Sequence, residues 1–111
     1  MVDNYIPEKG DIVYVDFNPT KGHEQKGYRP AVVVSNIVFN KYTKMFMLCP
    51  ITSNNKDFPT HYLLKNTKKV KGSVLCEHIR SIDFMARNIK FVEKCYENDI
   101  KGIIEISDSC L

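Results

Sequence analysis

Residues 10–17 read GDIVYVDF, and this stretch decides the fold class. Alternate side chains of a β-strand point to opposite faces of its sheet, and both sets here are rich in β-branched and aromatic residues. We therefore predict a strand in the interior of a sheet. The apolar runs 31–35 (AVVVS) and 44–51 (KMFMLCPI) predict further strands. Pro50 is expected at the end of the latter strand because proline cannot donate to a sheet ladder.

The rest of the chain predicts short strands, polar turns and one helix. We expect strands at 60–64, 73–82 and 90–93, a helical turn within 36–43, a basic turn at 65–72 and a short turn at 84–88. Four isoleucines at helical spacing predict a helix over 98–106, with Asn98 as its N-cap. Residues 1–111 are thus expected to form a single domain of the β or α+β class, an antiparallel barrel or sandwich of the SH3-like kind.

Two polar loops are candidate functional segments. Residues 18–27 contain proline, two glycines and several charges, and they exceed the usual length of a connection between strands. Residues 52–59 (TSNNKDFP) form the second loop. Because long loops on a rigid scaffold often carry binding and catalytic groups, we look for the site at these two segments.

Composition excludes several classes of protein. The chain has 111 residues, 43% hydrophobic and 26% charged, and no run approaches the roughly 20 apolar residues of a membrane span. The first ten residues do not resemble a secretory signal, so we expect a cytoplasmic protein. The four cysteines lack metal-site spacing and are expected to be free thiols. A net charge of +3 permits a nucleic-acid partner without requiring one.

A resemblance to a known family rests on a series of short motifs. They are GDIVYVDFNP at 10–19, KGHEQ at 21–25, RPAVVVS at 29–35, PITS at 50–53 and DFPTH at 57–61. In this order and at these distances they resemble the MazF/PemK toxins, and a weaker likeness continues through 77–87. The resemblance extends over essentially the whole chain.

This resemblance implies both a fold and an activity. The implied fold is an SH3-like barrel of the CcdB/MazF type with a C-terminal helix, assembled as a homodimer. The implied activity is sequence-specific cleavage of single-stranded RNA by attack of the ribose 2′-OH, without a metal or any other cofactor. The products would carry 2′,3′-cyclic phosphate and 5′-OH ends, and a MazE-like antitoxin would neutralise the toxin.

Three residues are candidates for catalysis. Arg29 carries a permanent charge that can fork onto two phosphate oxygens, although an arginine there could simply pair with an acid. Thr52 offers a hydroxyl to the same phosphate, although it could also be only a turn residue. By resemblance these are the family's two essential positions. Glu24 would accept the 2′-OH proton or orient Arg29, unless it is merely solvated.

A larger group of residues is expected to contact RNA. Tyr28 and Phe58 could stack on unpaired bases or pack beneath the loops, whereas Asn54, Asn55 and Lys56 have donors and acceptors suited to base edges. His23 is assigned an RNA contact or simple exposure. The complete set of predicted RNA contacts is Lys21, His23, Gln25, Tyr28, Ser53, Asn54, Asn55, Lys56, Phe58 and Glu77.

Three questions stay open at this point. In one branch of the family an arginine and an acid on the later strand serve as acid and base. The matching positions here are Leu75 and Glu77, so the arginine of that pair is missing. Glu77 is therefore expected to be structural or base-reading. The basic run 65–71 either tracks RNA phosphates or is solvated. The implied dimer would use 37–39 and the apolar face of the C-terminal helix, if these are not core.

Two other functions compete with RNA cleavage. A CcdB-like toxin of the same fold binds DNA gyrase without catalysis and needs no phosphate-gripping Arg and Thr pair. A non-catalytic SH3-like module that binds peptides or RNA would not require Arg29 and Pro30 beside a long charged loop.

Overall fold

The computed structural model describes residues 5–17, 28–54, 58–85 and 87–111. Within these ranges the chain forms antiparallel strands, two α-helices and one 3₁₀ turn at Cys76–His78. The strands are β1 (Asp11–Asp16), β2 (Tyr28–Val33), β3 (Met45–Thr52), β4 (His61–Leu63), β5 (Ser73–Leu75), β6 (Arg80–Asp83) and β7 (Ile89–Lys94). The helices are α1 (Ile37–Thr43) and α2 (Glu97–Ser109). No helix in the described ranges is long and apolar enough to cross a membrane.

Strand β3 joins two parts of the sheet. The strand order is β4-β5-β3-β2-β1-β7, and β6 also pairs with β3. The first half of β3 pairs with β6, from Met45 to Leu48, and its last two residues pair with β5. β1 lies between β2 and β7, which confirms the predicted interior strand.

The two faces of β1 and β2 pack against different apolar clusters, as the alternation of their side chains predicts. One face and helix α2 form the first core, which contains Ile12, Val32, Val34, Cys49, Ile51, Leu64, Val70, Val74, Cys76, Cys95, Ile100 and Ile103. The other face forms the second core, which contains Val13, Val15, Ala31, Val33, Phe46, Leu48 and Ile82. Burying each aliphatic side chain of this size contributes roughly 1.5–3 kcal/mol.

Three details of the predicted elements differ from the structure. Pro50 lies inside β3, opposite Ala31, at the point where β3 changes its other partner from β6 to β5. The predicted long strand over 73–82 is wrong, because the Cys76–His78 turn separates β5 from β6. The C-terminal helix begins earlier than predicted, and its N-cap is Tyr96, which makes no capping side-chain bond, rather than Asn98.

Helix α1 is longer than the predicted single turn and is fixed at both ends. The Asn36 side chain accepts a hydrogen bond from the Phe39 N–H, and Lys44 takes a left-handed backbone conformation at the C-cap. Asn40 is fully buried and donates to the Pro7 carbonyl at 2.6 Å. These bonds hold the segment before β1 against α1.

Candidate functional site

Arg29 and Thr52 stand on neighbouring strands at the same end of the sheet. Ala31 pairs with Pro50 across β2 and β3. This pairing ends at Ala31 and Pro50, and Arg29 and Thr52 stand two residues beyond it on their respective strands. Alternate residues of a strand share a face, and Arg29 also pairs with Val15 of the second core, so both residues belong to the face of that core. Arg29 is exposed and Thr52 is partly exposed, so both are accessible from this side.

Thr52 is held from two directions. It pairs with Ser73 of β5, and its hydroxyl oxygen accepts a hydrogen bond from the Asn54 N–H at 3.2 Å. A hydroxyl also has one hydrogen to donate, so this bond leaves the donor for a phosphate oxygen. Gly72 has a φ of +135°, and a Cβ built there would lie 2.1 Å from the Thr52 carbonyl oxygen. Only glycine therefore fits beneath Thr52.

A second guanidinium projects from the same face of the sheet. Arg80 pairs with Leu48, a member of the second core, and its Cζ lies 5.1 Å from the centre of the Phe17 ring. A guanidinium at this distance from a ring face is attracted by the ring's quadrupole. The sequence did not mark Arg80 as a site residue, because its position depends on the pairing of β6 with β3.

Glu77 is the centre of a cluster of polar side chains. The Thr60 hydroxyl donates to Glu77 Oε1 at 2.8 Å, and His61 Nε2 lies 3.1 Å from Glu77 Oε2. His78 Nε2 lies 3.6 Å from the same oxygen. Desolvation alone would raise the pKa of Glu77, but the hydrogen bonds from Thr60, its own backbone and His61 outweigh it and lower that pKa.

Glu77 and His78 can meet because the predicted strand over 73–82 is interrupted at these residues. The prediction assumed a continuous strand, in which adjacent side chains point to opposite faces, whereas both residues lie in the 3₁₀ turn. Thr60 and His61 belong to the DFPTH motif but were not predicted as site residues, because they join Glu77 only through the pairing of β4 with β5. Glu77 thus fastens the end of the loop that begins after Thr52, and its predicted contact with RNA stays a prediction.

The two predicted stacking residues have aromatic neighbours. Tyr28 and Tyr14 are stacked, with ring centroids 5.9 Å apart and planes 12° from parallel. Because Tyr28 precedes Arg29 on the same strand, the two side chains leave opposite faces of the sheet. Phe58 contacts His61 at a centroid distance of 5.1 Å and is 55% exposed. Both aromatic residues therefore pack on a neighbour and keep accessible surface.

The remaining predicted contacts are either exposed or lie outside the described residues. Ser53 and Asn54 are exposed at the end of β3. Lys21, His23, Glu24, Gln25, Asn55 and Lys56 lie outside the described residues. Within the described ranges, no group of three or more His, Cys, Asp or Glu side chains is placed to hold a metal ion.

The cysteines are free thiols, as predicted, and the buried ones are poor nucleophiles. Cys49, Cys76 and Cys95 are buried, whereas Cys110 is exposed. Burial raises the pKa of Cys76 and of Cys95 to about 12 and also raises that of Cys49. Because the thiolate is the reactive form, these three side chains serve packing rather than chemistry.

Comparison with known proteins identifies the family. Residues 8–105 match the family described as PemK-like, MazF-like toxin of type II toxin-antitoxin system. The endoribonuclease toxin MazF of Escherichia coli K12 is 41% identical over 87 residues, which cover 78% of each chain. Endoribonuclease PemK of Escherichia coli is 33% identical over 101 residues, covering 87% of this chain and 76% of PemK.

Solved structures of this family have the same fold. The crystal structure of MazF from Deinococcus radiodurans superposes with a TM-score of 0.83 at 33% identity, covering 96% of each chain. A MazE-MazF crystal structure from the same organism also gives 0.83, at 28% identity, and covers 96% of this chain and 95% of that one. With an antiparallel sheet, a C-terminal helix and a family match over most of its length, the chain belongs to the PemK-like, MazF-like toxins of type II toxin-antitoxin systems.

Proposed function

We propose that residues 1–111 form one toxin domain that cleaves single-stranded RNA at specific sequences without a metal. The observation that supports this proposal is that Arg29 and Thr52 lie two residues beyond the paired Ala31 and Pro50, on neighbouring strands and on the same accessible face of the sheet. Family membership supports the same activity, since MazF and PemK of Escherichia coli are named endoribonucleases.

The proposed reaction is a transesterification within the RNA. The ribose 2′-oxygen attacks the adjacent phosphorus, the new O2′–P bond forms and the P–O5′ bond breaks. The 2′-OH proton passes to a base, and the departing 5′-oxygen takes up a proton. The products are a 2′,3′-cyclic phosphate and a 5′-OH, so neither an oxidant nor a metal is consumed.

Each group of the site has a defined part in this reaction. Arg29 grips two oxygens of the scissile phosphate and stabilises the charge that grows on them during attack. Thr52 donates its hydroxyl hydrogen to the same phosphate, with its oxygen steadied by the Asn54 N–H. Glu24 is the proposed acceptor of the 2′-OH proton or the group that orients Arg29. Tyr28, Ser53, Asn54 and Phe58 are proposed to contact the RNA on either side of this phosphate.

Assembly and regulation follow from the same family. We propose a homodimer in the cytoplasm that is inhibited by a MazE-like antitoxin, in keeping with the MazE-MazF crystal structures from Deinococcus radiodurans. The apolar face of α2 is core, because Ile100 and Ile103 pack into the sheet. Ile37 and Val38 of α1 remain exposed, at 40% and 61%, and are the surface left for a second copy.

One experiment tests the proposed activity against gyrase binding. Purified protein is incubated with a long single-stranded RNA in excess EDTA, and the product ends are identified by mass. Fragments with cyclic phosphate at one end and 5′-OH at the other are expected. Intact RNA together with inhibition of DNA gyrase supercoiling would instead indicate a CcdB-like toxin, an alternative that the family match does not favour.

A further inference from the structure

The face of the sheet opposite Arg29 carries a second cluster suited to nucleic acid. Tyr14 and Tyr28 are stacked there, and Lys90 stands directly opposite Tyr14 on β7. Together with Lys69, Phe91 and Val92 they line a surface cavity of about 420 Å³. We call this cavity and its six lining residues the tyrosine platform.

Lys69 belongs to the platform because Glu93 fixes the basic turn in place. The Glu93 carboxylate accepts hydrogen bonds from the backbone N–H groups of Lys68, Lys69 and Val70, at 3.0, 2.8 and 2.8 Å. Desolvation would raise the pKa of Glu93, but these three bonds outweigh it and lower that pKa. The carboxylate is therefore charged at neutral pH and already occupied, and the turn is pinned to β7 beside the tyrosines.

The lysines of the turn do not all have the same freedom. The ammonium of Lys71 donates to the Thr67 carbonyl oxygen at 2.7 Å, so it helps to close the turn. Lys69 instead lines the cavity, together with Lys90 from the strand. Two lysines thus border the same space as two stacked tyrosines, and the platform combines basic residues with an aromatic surface.

The platform is continuous with the catalytic face. Tyr28 and Arg29 are the first two residues of β2, at the end of the sheet, and they project from its two faces. An RNA strand whose scissile phosphate lies at Arg29 therefore reaches the tyrosine face by passing around the end of one strand. The next nucleotides would meet aromatic rings on which bases stack and ammonium groups that pair with phosphates.

We propose that the tyrosine platform binds unpaired nucleotides of the RNA substrate that flank the cleaved linkage. A base stacks on the exposed ring of Tyr28, which is 39% accessible, and the neighbouring phosphates lie between Lys69 and Lys90. Because the lysine ammonium groups can pair with phosphates, RNA suits the platform better than a purely apolar segment of a protein would. This inference rests on the proposed ribonuclease activity and adds a binding site on the opposite face from its chemistry.

The test compares two substrates of the same enzyme. One is a long single-stranded RNA, and the other is the shortest oligonucleotide around one of its cleavage sites that the wild type still cleaves. Tyr14→Leu is expected to raise KM for the long RNA by about 5- to 150-fold, the range for loss of one stacked base, with kcat unchanged, whereas Tyr28→Leu, which removes a ring beside Arg29, is expected to raise KM for both substrates. For Tyr14→Leu, KM for the short substrate should stay at the wild-type value.

Matched variants separate binding from folding. Tyr14→Phe and Tyr28→Phe keep the rings and should restore the wild-type KM, and Tyr42→Leu on α1, an 81% exposed tyrosine outside the platform, should leave KM unchanged. Lys69→Gln and Lys90→Gln should each reduce the slope of log KM against log salt concentration by about 0.7, the value for one phosphate contact on a single strand. Lys41→Gln on α1 should not alter the slope.

Several outcomes would overturn the proposal. If the leucine variants cleave the long RNA with wild-type KM, the platform does not bind substrate. If Tyr14→Leu raises KM for the short substrate to the same degree, Tyr14 acts at the cleaved linkage itself. If RNA kinetics are unchanged but inhibition by the antitoxin is lost, the platform receives the antitoxin instead. A wild type that cleaves neither RNA would contradict the proposed function, which distinguishes that failure from the others.

Discussion

Replacing Gly72 by alanine should disable the site without altering any side chain proposed to contact the RNA. Gly72 has a φ of +135°, a region that only glycine adopts without strain, and holding another residue there costs about 1–3 kcal/mol. The new Cβ would lie 2.1 Å from the Thr52 carbonyl oxygen, whereas real Cβ contacts are not shorter than 3.0 Å. Thr52 or Gly72 must therefore shift by the difference, about 0.9 Å.

A displacement of this size predicts a measurable loss of activity. A misplacement of about 1 Å in a positioned catalytic group can cost about 100-fold in rate, equivalent to about 2.7 kcal/mol in the activation barrier. We expect kcat of Gly72→Ala for a short RNA to fall by about this factor. The assay is single-turnover cleavage at saturating enzyme, with the folded fraction measured by circular dichroism.

Gly10→Ala is the matched control for this variant. Gly10 also has a positive φ, +93°, but its built Cβ meets only the end of the Lys94 side chain, at 3.8 Å. Gly10→Ala should therefore lose stability through strain and retain the wild-type kcat per folded molecule. A folded Gly72→Ala protein that cleaves within a few-fold of the wild-type rate would refute the claim that the position of Thr52 limits the reaction.

The remaining predictions concern charge, pH and packing. Arg29→Ala should abolish cleavage and leave the melting temperature within a few degrees of the wild type, while Arg29→Lys, which keeps the charge but loses the fork, should recover only part of the rate in the same assay. Because the pKa of Glu77 is lowered in the fold from its ordinary 4.5, its contribution to stability is present above that value and is lost as the pH falls below it. Urea titrations at pH 7 and pH 3.5 should show a larger loss for the wild type than for Glu77→Gln, and equal losses would contradict the cluster around Glu77. Phe46→Ala should reduce the free energy of unfolding by about 3–5 kcal/mol, since Phe46 is fully buried in the second core, and a urea titration showing less than 1 kcal/mol would contradict that packing.

The sequence predicts the elements of this fold better than the contacts between them. The strand over 10–17 and the later apolar runs follow from local composition and alternation, and β1 and β3 lie where these features place them, whereas β2 begins three residues before the predicted run 31–35 and ends two residues before it. The break at Cys76–His78 has no comparable local signal. It exists because β5 and β6 pair with different halves of β3, and this arrangement depends on the whole sheet.

For the candidate site too, the sequence predicts individual residues better than the contacts between them. Motifs drew attention to Arg29 and Thr52, but only the pairing of β2 with β3 places both residues at the same end of neighbouring strands. The contact between His61 and Glu77 joins residues far apart in the chain, and so does the stacking of Tyr14 on Tyr28. Such pairs leave no periodic pattern in a single sequence, so sequence reasoning named some of their members without finding the partners.

The unequal exposure of the four thiols has a practical consequence. Cys110 is exposed and lies beside Leu111, whereas the other three cysteines are buried, and burial raises the pKa of their thiols. A maleimide dye should therefore attach to the native protein at this one position, with no cysteine replaced. The wild-type protein thus has one labelling site, at the end of α2, that can be used to follow its complexes by fluorescence. The three buried thiols would react only after unfolding.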